Sequence, residues 1–146
     1  MPKLSHNNPK LTLEGALQAV AAAERRATEL GVPMDIAVVD DGGHLLAFVR
    51  MDGAKISSVD IAIVKAHCAA IRRQPTGPYL HDGQPDLVVT MGLLAGSHAR
   101  QTPLRGGLPL FHDGKCVGAI GVSNGTEDQD VDVARAGAAA LEVESA

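Results

Sequence analysis

The sequence predicts an α+β domain in which one antiparallel sheet is covered by helices. Two short strand pairs carry this prediction, because each is joined by a turn rich in aspartate and glycine, at residues 40–43 and 113–114. Asp-Gly supplies the positive φ angles that a two-residue hairpin turn requires. Helical patterns lie before, between and after the hairpins, so the expected order is helix, hairpin, helix, an undecided segment, hairpin and helix.

The first helix is expected to begin after Thr12, whose hydroxyl can cap it, and to end at Gly31. The first hairpin follows, with strands at Met34–Asp40 and His44–Arg50. Because side chains alternate along a strand, we expect one face of the return strand to carry four residues. They are His44, Leu46, Phe48 and Arg50.

A second helix is predicted from Ser57 or Ser58 to about Ile71. Nearly every position in it is apolar or small, which indicates burial on more than one side, and Lys65 is the charge in its middle. Residues 74–84 have the proline and glycine content of a loop. The segment Leu87–Ala95 could be a strand or a short helix, and its periodicity does not decide between them.

The second hairpin is predicted over Leu108–His112 and Lys115–Val122. Two glycines, Gly118 and Gly121, leave its second strand without side chains, so we expect space above the sheet in which a ligand could lie. Thr126 begins a capping-box pattern, which predicts a last helix from 127 to about 142. Backbone N–H groups at that helix start favour an anion.

Composition excludes several classes of protein. Aromatic residues make up 2% of the chain and the formal net charge is -4, so neither base stacking nor a basic surface indicates a nucleic-acid partner. The longest apolar-rich stretch, Leu87–Ala95, is too short to span a bilayer. The N-terminus lacks the apolar core of a signal peptide, and the two cysteines form no disulfide or zinc pattern. We therefore expect a cytoplasmic protein without a membrane partner.

Three segments of the chain carry motifs in a fixed order: VVDDGGHLLAFVRMDGA, then KAHCAA, then PLRGGLPLFHDGKCVGAIGVSNGTEDQDVDVARAG. Together they resemble the GlcG/HbpS-type haem-binding family, which includes the C-terminal domain of PduO-type cobalamin adenosyltransferases. The resemblance covers about Leu11 to Leu141. It implies a profilin-like α/β/α sandwich around a central antiparallel sheet, assembled as a homo-oligomer, with haem bound by some members. Asn124 departs from the family's Gly-Val-Ser-Gly motif, so the rim of the site is expected to differ.

Lys65 is the sharpest charged candidate, because a lysine inside an apolar helix must reach water or meet an anion. The functional interpretation is that it holds a carboxylate of a ligand, and Arg50 and Arg105 carry the same interpretation. The structural alternative for Lys65 is a buried salt bridge to one of three carboxylates. These are Asp40, Asp41 and Asp128.

His44 and Glu127 are the candidate proton carriers. The other candidate ligand-binding residues lie on the glycine-containing strand and at the start of the last helix: Gly118, Gly121, Ser123 and Asp128. His112 precedes the second turn and is interpreted as exposed. No two histidines have the i, i+4 spacing of a helical metal pair, so metal ligands stay unassigned.

The leading hypothesis, which rests on the resemblance, is a small-ligand-binding protein that takes haem or a related tetrapyrrole and serves a catabolic or redox pathway. One alternative is a cofactor-free enzyme that performs proton transfer, lyase, isomerase or hydrolase chemistry on a small carboxylate-bearing intermediate. Another is a non-catalytic assembly protein. We expect one domain over 1–146 with residues 1–10 as a flexible tail. We also expect a homo-oligomer with its interface on Val59–Ile71, because that helix is apolar on more than one side.

Overall fold

The structure, a computed structural model, describes residues 1–5 and 7–145, so His6 and Ala146 lie outside the described residues. Its helices are α1 (Leu13–Leu30), α2 (Ser58–Arg72), α3 (Leu87–Gly96) and α4 (Glu127–Ser145). Its strands are β1 (Asp35–Asp40), β2 (Leu45–Arg50), β3 (Leu80–His81), β4 (Gln84–Pro85), β5 (Gly107–His112) and β6 (Lys115–Ser123). The undecided segment is therefore a helix, in which Asp86 caps the amide of Val89 at 3.0 Å.

The central sheet has the order β2-β1-β6-β5, and every neighbouring pair is antiparallel. This confirms the predicted sheet, with strand ends within one residue of those expected. In the second turn Asp113 and Gly114 have φ angles of 47° and 76°, both positive as a two-residue hairpin requires. Helix ends also agree. Thr12 caps α1, and Thr126 and Gln129 exchange the two hydrogen bonds of a capping box before α4.

The sheet lies between two helical layers, so the α/β/α sandwich is confirmed. Helices α1 and α4 cover one face, where side chains from β1 and β6 such as Ile36, Val38 and Ile120 are fully buried. Helix α2 covers the other face. There the contact is made largely by alanines, on the sheet Ala37 and Ala119, and on the helix Ala62, Ala66, Ala69 and Ala70. Small side chains on both surfaces let the helix approach the sheet closely.

The return strand of the first hairpin contains a β-bulge, which the sequence analysis missed. The register shifts between Val38 and Val39, so two residues of β2 stand opposite one of β1. As a result Leu46 packs toward α1 and α4, whereas Phe48 packs toward α2. The prediction that Leu46 shares a face with Phe48 and Arg50 is therefore wrong, whereas Phe48 and Arg50 do lie on one face.

The glycines of β6 were also misinterpreted. A β-carbon at Gly121 would collide with the carbonyl oxygen of Ala62 and the amide of Ala66, both in α2. A β-carbon at Gly118 would collide with the carbonyl oxygen of Val39 on the neighbouring strand. The expected space above these residues is therefore filled by the protein itself. Gly121 is required for helix packing and does not open a pocket.

Between α2 and β5 the chain forms an arm, which we define as Leu80–Gly96 and which comprises β3, β4 and α3. At its base the guanidinium of Arg72 lies 4.4 Å from the ring centre of Tyr79, and the Tyr79 hydroxyl donates to Gln101 at 3.3 Å. The Tyr79 ring is buried, whereas α3 contains no buried residue. The arm is thus anchored at its base and exposed along its helix.

The expected oligomer interface, Val59–Ile71, has one face against the sheet and leaves Ile61 and Ile71 exposed on the other. Its role in assembly stays a prediction.

Within the described residues no helix is long and apolar enough to cross a membrane. Residues of the predicted tail contact the domain, since Lys10 pairs with Asp41 at 3.0 Å and Lys115 donates to the carbonyl oxygen of Asn7.

Substitution of Gly121 by alanine tests the close approach of α2. We expect Gly121→Ala to lower the free energy of unfolding by about 1–3 kcal/mol, because the new methyl group displaces helix backbone. Chemical denaturation followed by circular dichroism measures the change. Gly77→Ala is the control, since a β-carbon there makes only an ordinary contact with Arg105. Equal stability of the two variants would contradict the packing.

Candidate functional site

The sheet has two ends with different chemistry. At the helix-start end, β1 begins with Asp35, β2 ends with Arg50, β6 ends with Ser123, and α2 and α4 begin. At the turn end, both hairpins turn and α1 begins. The two ends are about 17–20 Å apart, the length of a six-residue strand. Each candidate residue therefore belongs to one end only.

Lys65 lies toward the helix-start end as half of a buried ion pair. Its Nζ is 2.8 Å from Oδ2 of Asp130 and donates to the carbonyl oxygen of Val122 at 2.9 Å. The side chains of Lys65 and Asp130 are 3% and 4% exposed. Asp130 Oδ1 accepts the amide of Gly125 at 2.9 Å. Burial raises the pKa of Asp130, while its hydrogen bonds from Lys65 and Gly125 act in the opposite direction.

Lys65 therefore forms a buried salt bridge, as the structural alternative expected. Its partner is Asp130 and not Asp40, Asp41 or Asp128. Asp130 lies one helical turn after Thr126. At this position on α4 the Asp130 side chain points inward, toward α2. The pair joins α2 to the end of β6 and the first turn of α4. Because Lys65 and Asp130 neutralise each other and are hydrogen-bonded, Lys65 is positioned to stabilise the fold, and its 3% exposed side chain offers almost no surface to a ligand.

We expect Lys65→Met to destabilise the protein by about 3–5 kcal/mol, because it leaves the Asp130 carboxylate buried without a counter-charge. The double variant Lys65→Met/Asp130→Leu removes both charges and should recover most of this loss. Urea denaturation of the wild type, the two single variants and the double variant gives the coupling between the residues. Wild-type stability of Lys65→Met would show that the pair is dispensable.

Arg105, Glu127 and Asp128 form a second group at the helix-start end. Arg105 pairs with Asp128 at 2.8 Å, and its amide donates to Oε1 of Glu127 at 3.3 Å. Gly106 carries the chain over the buried ion pair with a φ of +123°, and a β-carbon there would be 3.0 Å from Nζ of Lys65. The three predicted residues are thus brought together as a surface ion-pair group. An anion bound beside them must compete with two carboxylates.

Arg50 and Ser123 flank a residue that the sequence analysis did not select. Asp35 stands directly opposite Arg50 on β2 and Ser123 on β6, so the three side chains share a face. The Asp35 side chain is fully buried, and neither carboxylate oxygen has a hydrogen-bond partner. Burial raises the pKa of Asp35, and the charge of Arg50 partly offsets this. The sequence signal that could have identified Asp35 is an aspartate between two apolar residues at the start of a strand.

The pH dependence of stability should reveal Asp35. Because its pKa is higher in the folded protein than the unfolded value near 3.8, its contribution favours folding at acid pH and is lost as the pH rises through the folded-state pKa. We therefore expect the wild type to lose stability relative to Asp35→Asn as the pH rises from the unfolded value near 3.8 toward neutral pH. Thermal or urea unfolding of both proteins across this range measures the difference. Parallel curves would show that Asp35 is not perturbed.

His44 lies at the turn end, away from Glu127. Its amide donates to Oδ1 of Asp40 at 2.9 Å, and its exposed ring stands beside Gly42. The structure thus separates the predicted proton carriers by the length of the sheet. In one subunit, the two residues do not reach the same small substrate. The ring of His67 lies nearby, with Nδ1 3.0 Å from the carbonyl oxygen of Gly43.

The turn end also contains an apolar groove that sequence reasoning missed. We call it the turn-end groove, and its volume is about 290 Å³. It lies between the residues before α1, the β5–β6 hairpin and the end of α4. Its lining residues are Pro9, Lys10, Leu11, Thr12, Gly15, Phe111, His112, Val117 and Leu141. Leu11 and Leu141 are far apart in the sequence and no local motif connects them, so the groove becomes apparent only in the folded structure.

The ionisable side chains of His112 and Lys10 line the turn-end groove. His112 is partly exposed, and its Nε2 lies 3.3 Å from a carboxylate oxygen of Asp113. Lys10 reaches Asp41 at 3.0 Å. Phe111 also lines a neighbouring cleft of about 450 Å³, whose cationic residues are Arg73 and Arg135. Apolar walls with an imidazole and several cations suit a flat apolar ligand that bears acid groups. Among the described residues, no cluster of three or more His, Cys, Asp or Glu side chains is placed to hold a metal ion.

Fold and groove together define a small α/β/α domain with a ligand-sized apolar site at one end of its sheet. The model of the haem-degrading protein HbpS-like family matches residues 11–139, so the chain belongs to the HbpS-like family. The predicted family is thereby confirmed. Protein GlcG of Escherichia coli strain K12 is 40% identical over 116 residues, which cover 77% of this chain and 81% of GlcG.

Two solved structures share the fold. The crystal structure of Klebsiella pneumoniae protein ORFY is 35% identical with a TM-score of 0.87, and the match covers 97% of each chain. The crystal structure of a PduOC:heme complex is 29% identical with a TM-score of 0.77, covering 90% of this chain and 95% of the other. The second of these proteins was thus crystallised with haem.

Proposed function

We propose that this protein binds haem or a related tetrapyrrole in the turn-end groove. The observation that carries the proposal is the combination of apolar walls with one imidazole, that of His112, at the rim. A tetrapyrrole needs apolar contact for its ring, a ligand for its metal and cations for its carboxylates. Membership of the HbpS-like family and the likeness to PduOC, crystallised with haem, support this ligand class.

The donor set at the turn-end groove fits haem. An imidazole nitrogen is a common axial ligand, and a carboxylate beside the ring, here Asp113, is the usual kind of partner that orients such an imidazole. Phe111 offers an exposed aromatic ring, and Val117 and Leu141 offer aliphatic contact. When bound, haem would supply a redox-active iron centre. The residues named here would hold it and shield one edge from water.

The groove of about 290 Å³ is at the small end of ligand sites, so a tetrapyrrole would extend beyond it. The neighbouring cleft begins at the same Phe111 and carries Arg73 and Arg135. Guanidinium groups pair with carboxylates through two parallel hydrogen bonds. We therefore assign the propionate groups to these two arginines, because Lys10 is already paired with both carboxylate oxygens of Asp41.

Titration with haemin tests the proposal. We expect saturable binding with a shifted Soret band, and we expect His112→Ala to weaken binding by roughly tenfold or more and to change the spectrum, because the iron loses its protein ligand. His81→Ala is a matched control, since His81 also lies beside an aspartate, Asp82, at 3.5 Å but lines none of these grooves. Equal loss in both variants, or none in either, would exclude this site.

The alternative of a cofactor-free enzyme has less support from the geometry. His44 and Glu127 lie at opposite ends of the sheet, and Lys65 is bound to Asp130. Binding of an anion by Arg50 and Arg105 at the helix-start end stays a prediction.

Both cysteines, Cys68 and Cys116, are free thiols, which supports the further proposal of a cytoplasmic setting.

A further inference from the structure

A further cleft lies between the arm and the end of α2. We call it the arm cleft, and its volume is about 430 Å³, within the range of small-ligand sites. The domain contributes Arg72, Gln74 and Tyr79 to its lining, and the arm contributes three apolar residues. These are Leu80, Val89 and Leu93. No residue of the arm cleft lines the turn-end groove, so the two sites are separate.

Arg72 is the cation of the arm cleft, and its guanidinium lies over the Tyr79 ring, 4.4 Å from the ring centre. A guanidinium placed in this way has one face against the ring, while the N–H groups on its edge stay able to donate. Within the described part of the chain Arg72 pairs with no carboxylate, and the residues that line the cleft include no acid. The ring therefore holds a planar donor in place without neutralising its charge.

The two acidic residues of the arm do not occupy Arg72. Asp86 caps the amide of Val89 at 3.0 Å, and Asp82 lies beside His81 with its side chain 91% exposed. Arg105 differs in this respect, because it pairs with Asp128 at 2.8 Å. An anion that enters the arm cleft therefore meets a cation without displacing a carboxylate of the protein.

The wall on the domain side is fixed by hydrogen bonds. The buried Thr76 donates its amide to the carbonyl oxygen of Gly107 at 2.9 Å, and its hydroxyl accepts the amide of Gly107 at 2.9 Å. The amide of Asp86 donates to the carbonyl oxygen of Tyr79 at 2.7 Å, which ties the arm to its base. A preformed site of this kind loses little conformational freedom when a ligand binds.

The wall on the arm side offers apolar contact. Leu80 and Val89 are 61% and 45% exposed, and Leu93 is half-buried. Contact with a hydrocarbon group would remove part of this surface from water, which is favourable. A ligand that matches both walls carries an acid group at one end and a hydrocarbon body at the other.

We propose that the arm cleft binds a small apolar carboxylate, whose acid group pairs with Arg72 and whose hydrocarbon body lies against Leu80, Val89 and Leu93. The edge of a guanidinium donates two parallel hydrogen bonds to a carboxylate. The side-chain amide of Gln74 lines the same cleft and supplies a further donor. Because the residues differ from those of the turn-end groove, this binding does not depend on the proposed haem binding.

Titration with cyclohexanecarboxylate tests the arm cleft, and Tyr79 reports it, since the chain has one tyrosine and no tryptophan. We expect saturable binding in calorimetry together with a change in tyrosine emission. Acetate lacks the hydrocarbon body and cyclohexanecarboxamide lacks the charge, so each should bind roughly tenfold more weakly or worse. Equal affinity for the three compounds, or no binding of cyclohexanecarboxylate, would overturn the proposal.

Removal of the cation tests its role. Arg72→Gln should weaken binding of cyclohexanecarboxylate by roughly tenfold or more, and should bring the acid and the amide to similar affinities. Arg100→Gln is the matched control and should bind as the wild type does, because Arg100 is also exposed but does not line the cleft. Equal affinities of the two variants would contradict the assignment of Arg72.

A second pair of variants leaves the contact between Arg72 and Tyr79 intact. Val89→Asp places a negative charge on the arm wall and should weaken binding by roughly tenfold or more, because the charge repels the ligand and attracts Arg72. Val88→Asp is the control, since Val88 is 81% exposed on the same helix but does not line the cleft. Unchanged binding in Val89→Asp, or an equal loss in both variants, would overturn the proposal.

Calorimetry with haemin-loaded protein separates this site from the proposed haem site. We expect cyclohexanecarboxylate to bind with the same affinity before and after one equivalent of haemin is added, because the two ligands contact different residues. Loss of carboxylate binding after loading would place the tetrapyrrole in the arm cleft and overturn the inference of a separate carboxylate site.

Discussion

Helix α2 lies against the sheet at a distance set by backbone atoms, and most of the structure depends on this close approach. Gly121 provides the space on the sheet, and the alanines of α2 provide it on the helix. Because no large side chain separates the two layers, Lys65 can reach the end of β6 and the first turn of α4. One contact thus fixes the relative positions of three elements.

The close approach also explains why the two ends of the sheet differ. At the helix-start end, α2, β6 and α4 are drawn together, and their polar groups are matched or buried, as with Asp130 and Asp35. At the turn end the β5–β6 hairpin continues beyond the last residue of β1, and the end of α4 and the start of α1 leave a gap under it. Access for a ligand is therefore greater at the turn end.

The sequence predicted the elements well because their signals are local. Asp113-Gly114 sets a turn and its flanking strands, and Thr126 with Gln129 sets a helix start, without reference to the rest of the chain. The same signals do not report what lies above a strand. A glycine such as Gly121 can leave open space above a strand, or it can let a helix pack closely on the strand. The sequence does not distinguish the two, because the answer depends on where α2 packs.

The site was predicted less well for the same reason. Asp128 and Asp130 are both acidic residues in the first turn of α4, and only the rotation of that helix against α2 selects Asp130 for Lys65. The turn-end groove joins residues from both ends of the chain, which no local pattern connects. The bulge in β2 moved Leu46 to the other face, because a single extra residue reverses the alternation.

The base of the arm has a consequence for spectroscopy. The chain contains one tyrosine and no tryptophan, so its intrinsic emission comes from a single ring, that of Tyr79. This ring is buried beneath the guanidinium of Arg72 at the point where the arm leaves the domain. Tyrosine emission and the tyrosine band of the near-ultraviolet dichroism spectrum therefore describe the attachment of the arm and not the average of the molecule. The protein thus carries a natural optical probe at the point where the arm joins the domain.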